Sequence, residues 1–179
     1  MASSDSKNKI SFYTTLIFLI LLLMCASPPM IQAAGSSDDE DSTTRKSKGY
    51  QEAVSYIKKL DYSSATPLLR RELKKNPRDA DAHNYMGYVL RKSGDFENSA
   101  VHYAKALEIE PDNLDALKRT GVLYYNLGQM SEVERYMKKA FYLAPDEVDV
   151  LWPLGLAYFD KGDYMMGVSL LSRAASIKP

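Results

Sequence analysis

The sequence predicts an all-α chain built from four copies of a helix pair, stacked into a solenoid. Three observations carry that prediction. Pro77, Pro111, Pro145 and Pro179 stand 34 residues apart. Gly87, Gly121 and Gly155 keep the same step, as do Gly94, Gly128 and Gly162, and Ala106, Ala140 and Ala174. Inside each period, apolar residues recur at helical spacing on either side of the second glycine. A fixed period of this length is one structural unit repeated, each copy burying its apolar face on the next.

The elements follow in order. The chain begins with Lys7 and Lys9, a dense apolar core from Leu16 to Ala26, Pro28 and Pro29, then Ala33, Ala34 and Gly35. A basic start, a short apolar core and a small-residue exit describe a secretory leader over residues 1–34, which predicts export to a periplasm or the exterior. The alternative is an uncleaved anchor: Ile10 to Ala26 is 17 residues, the lower edge for a spanning helix, and would tether the chain to a membrane. Residues 35–47 hold Asp38-Asp39-Glu40-Asp41 among Ser and Thr, and read as a disordered acidic linker.

Residues 48–179 form the repeat domain, divided as 46–79, 80–113, 114–147 and 148–179 so that each prolyl series falls at position 32. In the second unit His83, Met86, Gly87 and Leu90 make one face of a 3.6-period helix, matched by Leu117, Thr120, Gly121 and Tyr124, and by Leu151, Leu154, Gly155 and Tyr158. Gly94, Gly128 and Gly162 end those first helices in a left-handed conformation. Second helices follow, through Tyr103, Ala106 and Leu107, and through Met137, Ala140 and Phe141. The glycine at position 8 predicts close approach to a small residue at position 20: Ala65, Ser99 or Gly167, with Val133 bulkier. Tyr62, Phe96, Met130 and Tyr164, at position 17, face the next unit. Asp79 and Asn113 stand where N-caps are wanted. The first unit is degenerate, with Ala53 at position 8 and Leu60 at position 15. In the fourth, Pro153 falls early in the first helix, and Leu170, Leu171 and Ile177 are expected on an uncovered apolar face that offers a route to self-association.

This pattern resembles the tetratricopeptide repeat family, over about three-quarters of the chain. The resemblance implies a right-handed superhelical solenoid of antiparallel helix pairs, acting as a non-catalytic adaptor or scaffold that holds a peptide or helix in a concave groove. Other readings are a self-associating structural protein and a regulatory subunit of an enzyme complex. The groove would be lined from positions 2, 5, 9, 12 and 13 of the first helices. There the candidate partner-binding residues are Tyr88, Tyr125, Trp152 and Phe159, the polar Asn84 and Asn126, and the cationic Arg91, Lys92 and Lys118. Trp152 suits either the groove or packing within the array. Some relatives grip chaperone-tail carboxylates through basic and amide residues; Asp115 and Val122 occupy places that such a clamp needs, so that activity is not expected.

The chemistry excluded is as informative. With 23 basic and 23 acidic residues the formal net charge is zero, so a nucleic-acid partner is not expected. Cys25 is the sole cysteine, which leaves the repeats without a disulfide framework or thiolate site. His83 and His102 fall on different helices, His83 reading as half-buried packing and His102 as surface, so no zinc site is read. There is no glycine-rich phosphate loop or nucleophile elbow. The sequence therefore predicts no enzyme activity, no cofactor, no metal and no small-molecule substrate.

Overall fold

The computed structural model describes residues 46–177. The expected leader or anchor, and the linker up to residue 45, lie outside the described residues. Among those described, eight helices and no strand are present: α1 (Lys48–Lys58), α2 (Tyr62–Lys75), α3 (Ala80–Lys92), α4 (Phe96–Ile109), α5 (Leu114–Asn126), α6 (Met130–Leu143), α7 (Val148–Asp160) and α8 (Tyr164–Ile177). Their starts keep step with the sequence period: α3, α5 and α7 begin at position 1, and all four second helices at position 17. Lys46 and Ser47, at the end of the acidic linker as read from the sequence, are built into the domain. Ser47 accepts from the Tyr50 N–H as the cap of α1, and Lys46 pairs with Asp81 at 2.8 Å.

Side-chain caps open most of the helices. Asp79 and Asn113 accept from the N–H groups of Ala82 and Ala116 at 2.9 Å, satisfying donors that a helix start leaves free. Asp61 and Asp95 do the same for α2 and α4. Between paired helices the chain turns through Gly94, Gly128 and Gly162, with φ of 84°, 69° and 84°. At the equivalent point of the first pair stands Leu60, with φ 62° and its side chain exposed. A side chain costs roughly 1–2 kcal/mol in that left-handed conformation. Leu60→Gly is therefore expected to stabilise the domain by about 1 kcal/mol, after the extra flexibility of glycine in the unfolded chain is deducted; a rise in urea midpoint checks it, and a fall would show that Leu60 has a packing role.

The glycines at position 8 let paired helices close up, but against a different residue from the one expected. A Cβ on Gly87 would lie 2.7 Å from the Tyr103 ring; at Gly121 it would strike Met137, and at Gly155 it would lie 2.8 Å from Leu171. All three neighbours stand at position 24. Helical side chains lean back toward the N-terminus, so the large residue one turn after position 20 covers the gap. The small residue at 20 still matters: the Ser99 hydroxyl donates to the Gly87 carbonyl at 2.8 Å, and Gly167 abuts Gly155.

Two interior clusters result. One joins Ala53, Ile57, Ala65, Leu69, Met86 and Val89; the other joins Leu117, Val133, Met137, Val150, Leu151, Leu154 and Leu170. Leu170 is therefore buried and Leu171 half-buried, contrary to expectation. The exposed apolar residues of α8 are Tyr164, Met165, Met166, Val168 and Ile177. Pro153 and Pro67 each take the sixth place in their helices, deeper than the sequence placed Pro153, and both helices run on past them. None of the described helices is long and apolar enough to cross a membrane.

Candidate functional site

First helices of successive pairs touch one another, α1 with α3, α3 with α5 and α5 with α7, whereas the described second helices meet only first helices. The first helices thus form the inner wall of the array. On that wall lies an open cavity of about 540 Å³, lined by Arg91 of α3, by Asp115, Lys118, Arg119 and Val122 of α5, and by Val148, Asp149, Trp152 and Pro153 of α7.

Its charged lining is mixed, with Arg91, Lys118 and Arg119 against Asp115 and Asp149. Arg119 lies over the Tyr85 ring, with Cζ 4.6 Å from the centroid, and over Tyr88 at 5.0 Å; Arg91 Cζ lies 5.5 Å from the Tyr88 centroid. Tyrosines hold the platform in place: Tyr50 meets Tyr85 edge-on at 5.8 Å, and Tyr62 meets Tyr88 at 6.2 Å. Stacking on an aromatic face attracts a cation and fixes the plane of its fork. It does not satisfy the N–H groups. Arg91 Nε and Arg119 Nη1 are buried without a hydrogen-bond partner among the described residues, where neither arginine forms an ion pair. Burial pushes the Tyr103 hydroxyl up in pKa; the close approach of the Arg91 side chain to that hydroxyl, and then the charges of Arg91 and Arg119, partly draw it back. The remaining cation, Lys118, is already engaged, 3.4 Å from Glu147 and 3.7 Å from Asp115.

Comparison with known proteins agrees with this architecture. Residues 87–128 match a TPR repeat model, and residues 119–147 match a tetratricopeptide repeat model. Residues 87–147 carry tetratricopeptide repeats. Among solved structures, MamA 41-end from Desulfovibrio magneticus RS-1 superposes with a TM-score of 0.68 at 19% identity, covering 73% of this chain and 74% of that one. MamA of AMB-1 gives 0.62 at 23% identity, with 72% and 70% covered. A tetratricopeptide repeat protein from Parabacteroides merdae ATCC 43184 gives 0.64 at 20% identity, with 74% and 54% covered. No curated protein matches the chain.

Within this helical array the residues singled out from the sequence scatter. Arg91, Lys118 and Trp152 line the cavity, and Tyr88 supports it. Trp152 is 52% exposed, which places it on the groove rather than in the interior. Lys92 and Asn126 are exposed outside the cavity lining, as is Tyr125. Phe159 turns toward the end of the array, edge-on to Tyr164 at 4.9 Å. Asn84 is a correction: only 2% exposed, it is enclosed between helices and offers little to a ligand. The sequence reading passed over Arg119 and Tyr85. Both stand at position 6, which the same periodicity includes once position 2 is accepted, since 2, 6, 9 and 13 share one helical face. The histidines also differ from expectation. His83 is buried and His102 half-buried, and their Nδ1 atoms are 2.9 Å apart.

Proposed function

We propose that the repeats form a protein-interaction module whose inner wall grips an extended acidic segment of a partner polypeptide. One observation carries the reading: two guanidinium groups, stacked on tyrosines and beside an open cavity, hold buried N–H donors that no described residue satisfies. A buried, unpaired donor on a charged group is costly, and a ligand carboxylate removes that cost with charge-assisted, bidentate bonds. Trp152, Val122 and Pro153 would take an apolar side chain one or two residues away. Lys118 belongs to the internal Asp115–Glu147 pairing, so the arginines supply the anion site. Affinity would come from few anchors, as at other interfaces with aromatic and arginine hot spots.

The probe is a fluorescent decapeptide alternating Glu with Leu and Phe, titrated into the chain and followed by anisotropy. Arg119→Ala is expected to weaken binding about tenfold or more, the cost of an unmade charge-assisted bond, whereas Tyr125→Ala leaves it unchanged. Equal affinity for a peptide with Lys in place of Glu would overturn the anion site while leaving an interaction groove; no binding of either peptide would count against the groove itself.

The apolar face of α8 favours a second reading, self-association, because Tyr164, Met165 and Val168 are 58%, 87% and 54% exposed beside Phe159. Contiguous apolar surface of this kind marks an interaction site. A chain that sediments as a monomer at high concentration removes this reading.

A further inference from the structure

The histidine pair lies away from the inner wall, at the junction of the first two helix pairs. His83 of α3 and His102 of α4 stand ring to ring, with centroids 5.1 Å apart and planes tilted by 37°. Their Nδ1 atoms are 2.9 Å apart, and His83 Nε2 lies 3.1 Å from the carbonyl oxygen of Pro77, in the turn between α2 and α3. These contacts fix every proton. A carbonyl only accepts, so His83 Nε2 carries the hydrogen. In a neutral imidazole the other nitrogen is then an acceptor, so His102 Nδ1–H must donate to His83 Nδ1.

This arrangement tolerates a neutral pair, or one extra proton on His102 Nε2. It cannot tolerate two. The second proton would go to His83 Nδ1 and set two N–H groups against each other at 2.9 Å. We infer that His83 and His102 form an acid-opened latch, which ties the Pro77 turn to the α3–α4 pair at neutral pH and releases it as the medium acidifies.

The surroundings act in the same direction. His83 is only 5% exposed. Burial lowers the pKa of both imidazoles; for His102, burial together with the charges of His83, Lys105 and Arg70 brings it to about 4. The charged groups that face the pair come from each packed element: Arg70 from α2, Arg78 and Asp79 from the turn, and Lys105, Glu108 and the capping Asp95 from α4. Asp79 favours a proton on His83, but it is already engaged by Lys46 and the Ala82 N–H. Cavities of about 480 and 260 Å³ reach His83, the larger one reaching His102 as well, so protons have access without global unfolding.

The direction of the effect follows from linkage. Open, the two imidazoles return to an ordinary value near 6.5; closed, they titrate lower. The open form therefore binds more protons between about pH 6.5 and pH 4, and closure weakens as pH falls through that window. Above it the latch is at full strength.

Imidazole nitrogen spectroscopy of the whole chain is the test, because it needs no variant. At pH 7 the expected result is His83 as the Nε2–H tautomer and His102 as the Nδ1–H tautomer. On titration, His102 should stay neutral until close to pH 4, and amide exchange across residues 78–82, corrected for its intrinsic rate, should accelerate between pH 6.5 and 5 by up to about a hundredfold per pH unit, the limit for two protons taken up. In His102→Phe the acceleration should be much reduced. The inference is overturned if the tautomers are reversed, or if both histidines titrate near 6.5 in a folded chain whose 78–82 amides stay equally protected. A variant that fails to fold leaves the tautomer result decisive.

Discussion

Tyr103→Ala is expected to destabilise the domain by about 3–5 kcal/mol, the range for emptying a buried aromatic site. Tyr103 is fully buried, and it is the largest fully enclosed side chain among the described residues. Its ring fills the space that Gly87 leaves open on the facing helix, so truncation creates a cavity that a glycine cannot fill from the other side. Set against a typical total of 5–15 kcal/mol, that loss would leave the second helix pair barely folded. Because repeats are stabilised by their neighbours, the first pair would lose its cover as well. Tyr103→Phe separates ring from hydroxyl. The hydroxyl is buried without a hydrogen-bond partner among the described residues, so removing it should change stability by less than about 1 kcal/mol. Urea melts of both variants decide the matter. If Tyr103→Phe costs as much as Tyr103→Ala, the hydroxyl is holding Arg91 and Arg119 in place, and the ring is not the main term.

How far the sequence reaches depends on whether a feature is local. The helices were legible because capping, the turn glycine and apolar spacing all lie within one period, and each period repeats the message. Asp79 and Asn113 were read as caps from position alone, and they cap. The site was less legible because its energetics depend on pairs from different units. Lys118 looks like a free cation in sequence; its partner Glu147 lies 29 residues on, across a helix junction. His83 and His102 look like two lone histidines until the register of α3 against α4 brings their Nδ1 atoms together. Arg119 was legible in principle, since position 6 belongs to the inner face, but arginine at a half-buried position reads as surface until the tyrosines beneath it are seen.

Gly87→Val should cost about 3 kcal/mol, at the upper end for overpacking a core. A new Cβ would meet the Tyr103 ring at 2.7 Å, closer than real side chains pack, and the branched methyls would add to the overlap. The ring cannot retreat: it is fully enclosed, and the Ser99 hydroxyl pins the Gly87 carbonyl to the facing helix. Gly121 provides the internal control, since it stands at the same position of the next unit but faces Met137, an unbranched chain that adapts to irregular space. Gly121→Ala gains roughly 1 kcal/mol of helix propensity against a strain that Met137 can relieve, and should come out near neutral. Gly87→Ala has the same propensity gain but a rigid neighbour, and should remain destabilising. Differential scanning calorimetry of the two alanine variants reads this directly. Equal losses at both sites would mean that backbone approach, and not the side chain at position 24, sets the need for glycine; the helices would then be held apart by main chain, as Gly155 and the Gly167 carbonyl already are in the fourth pair.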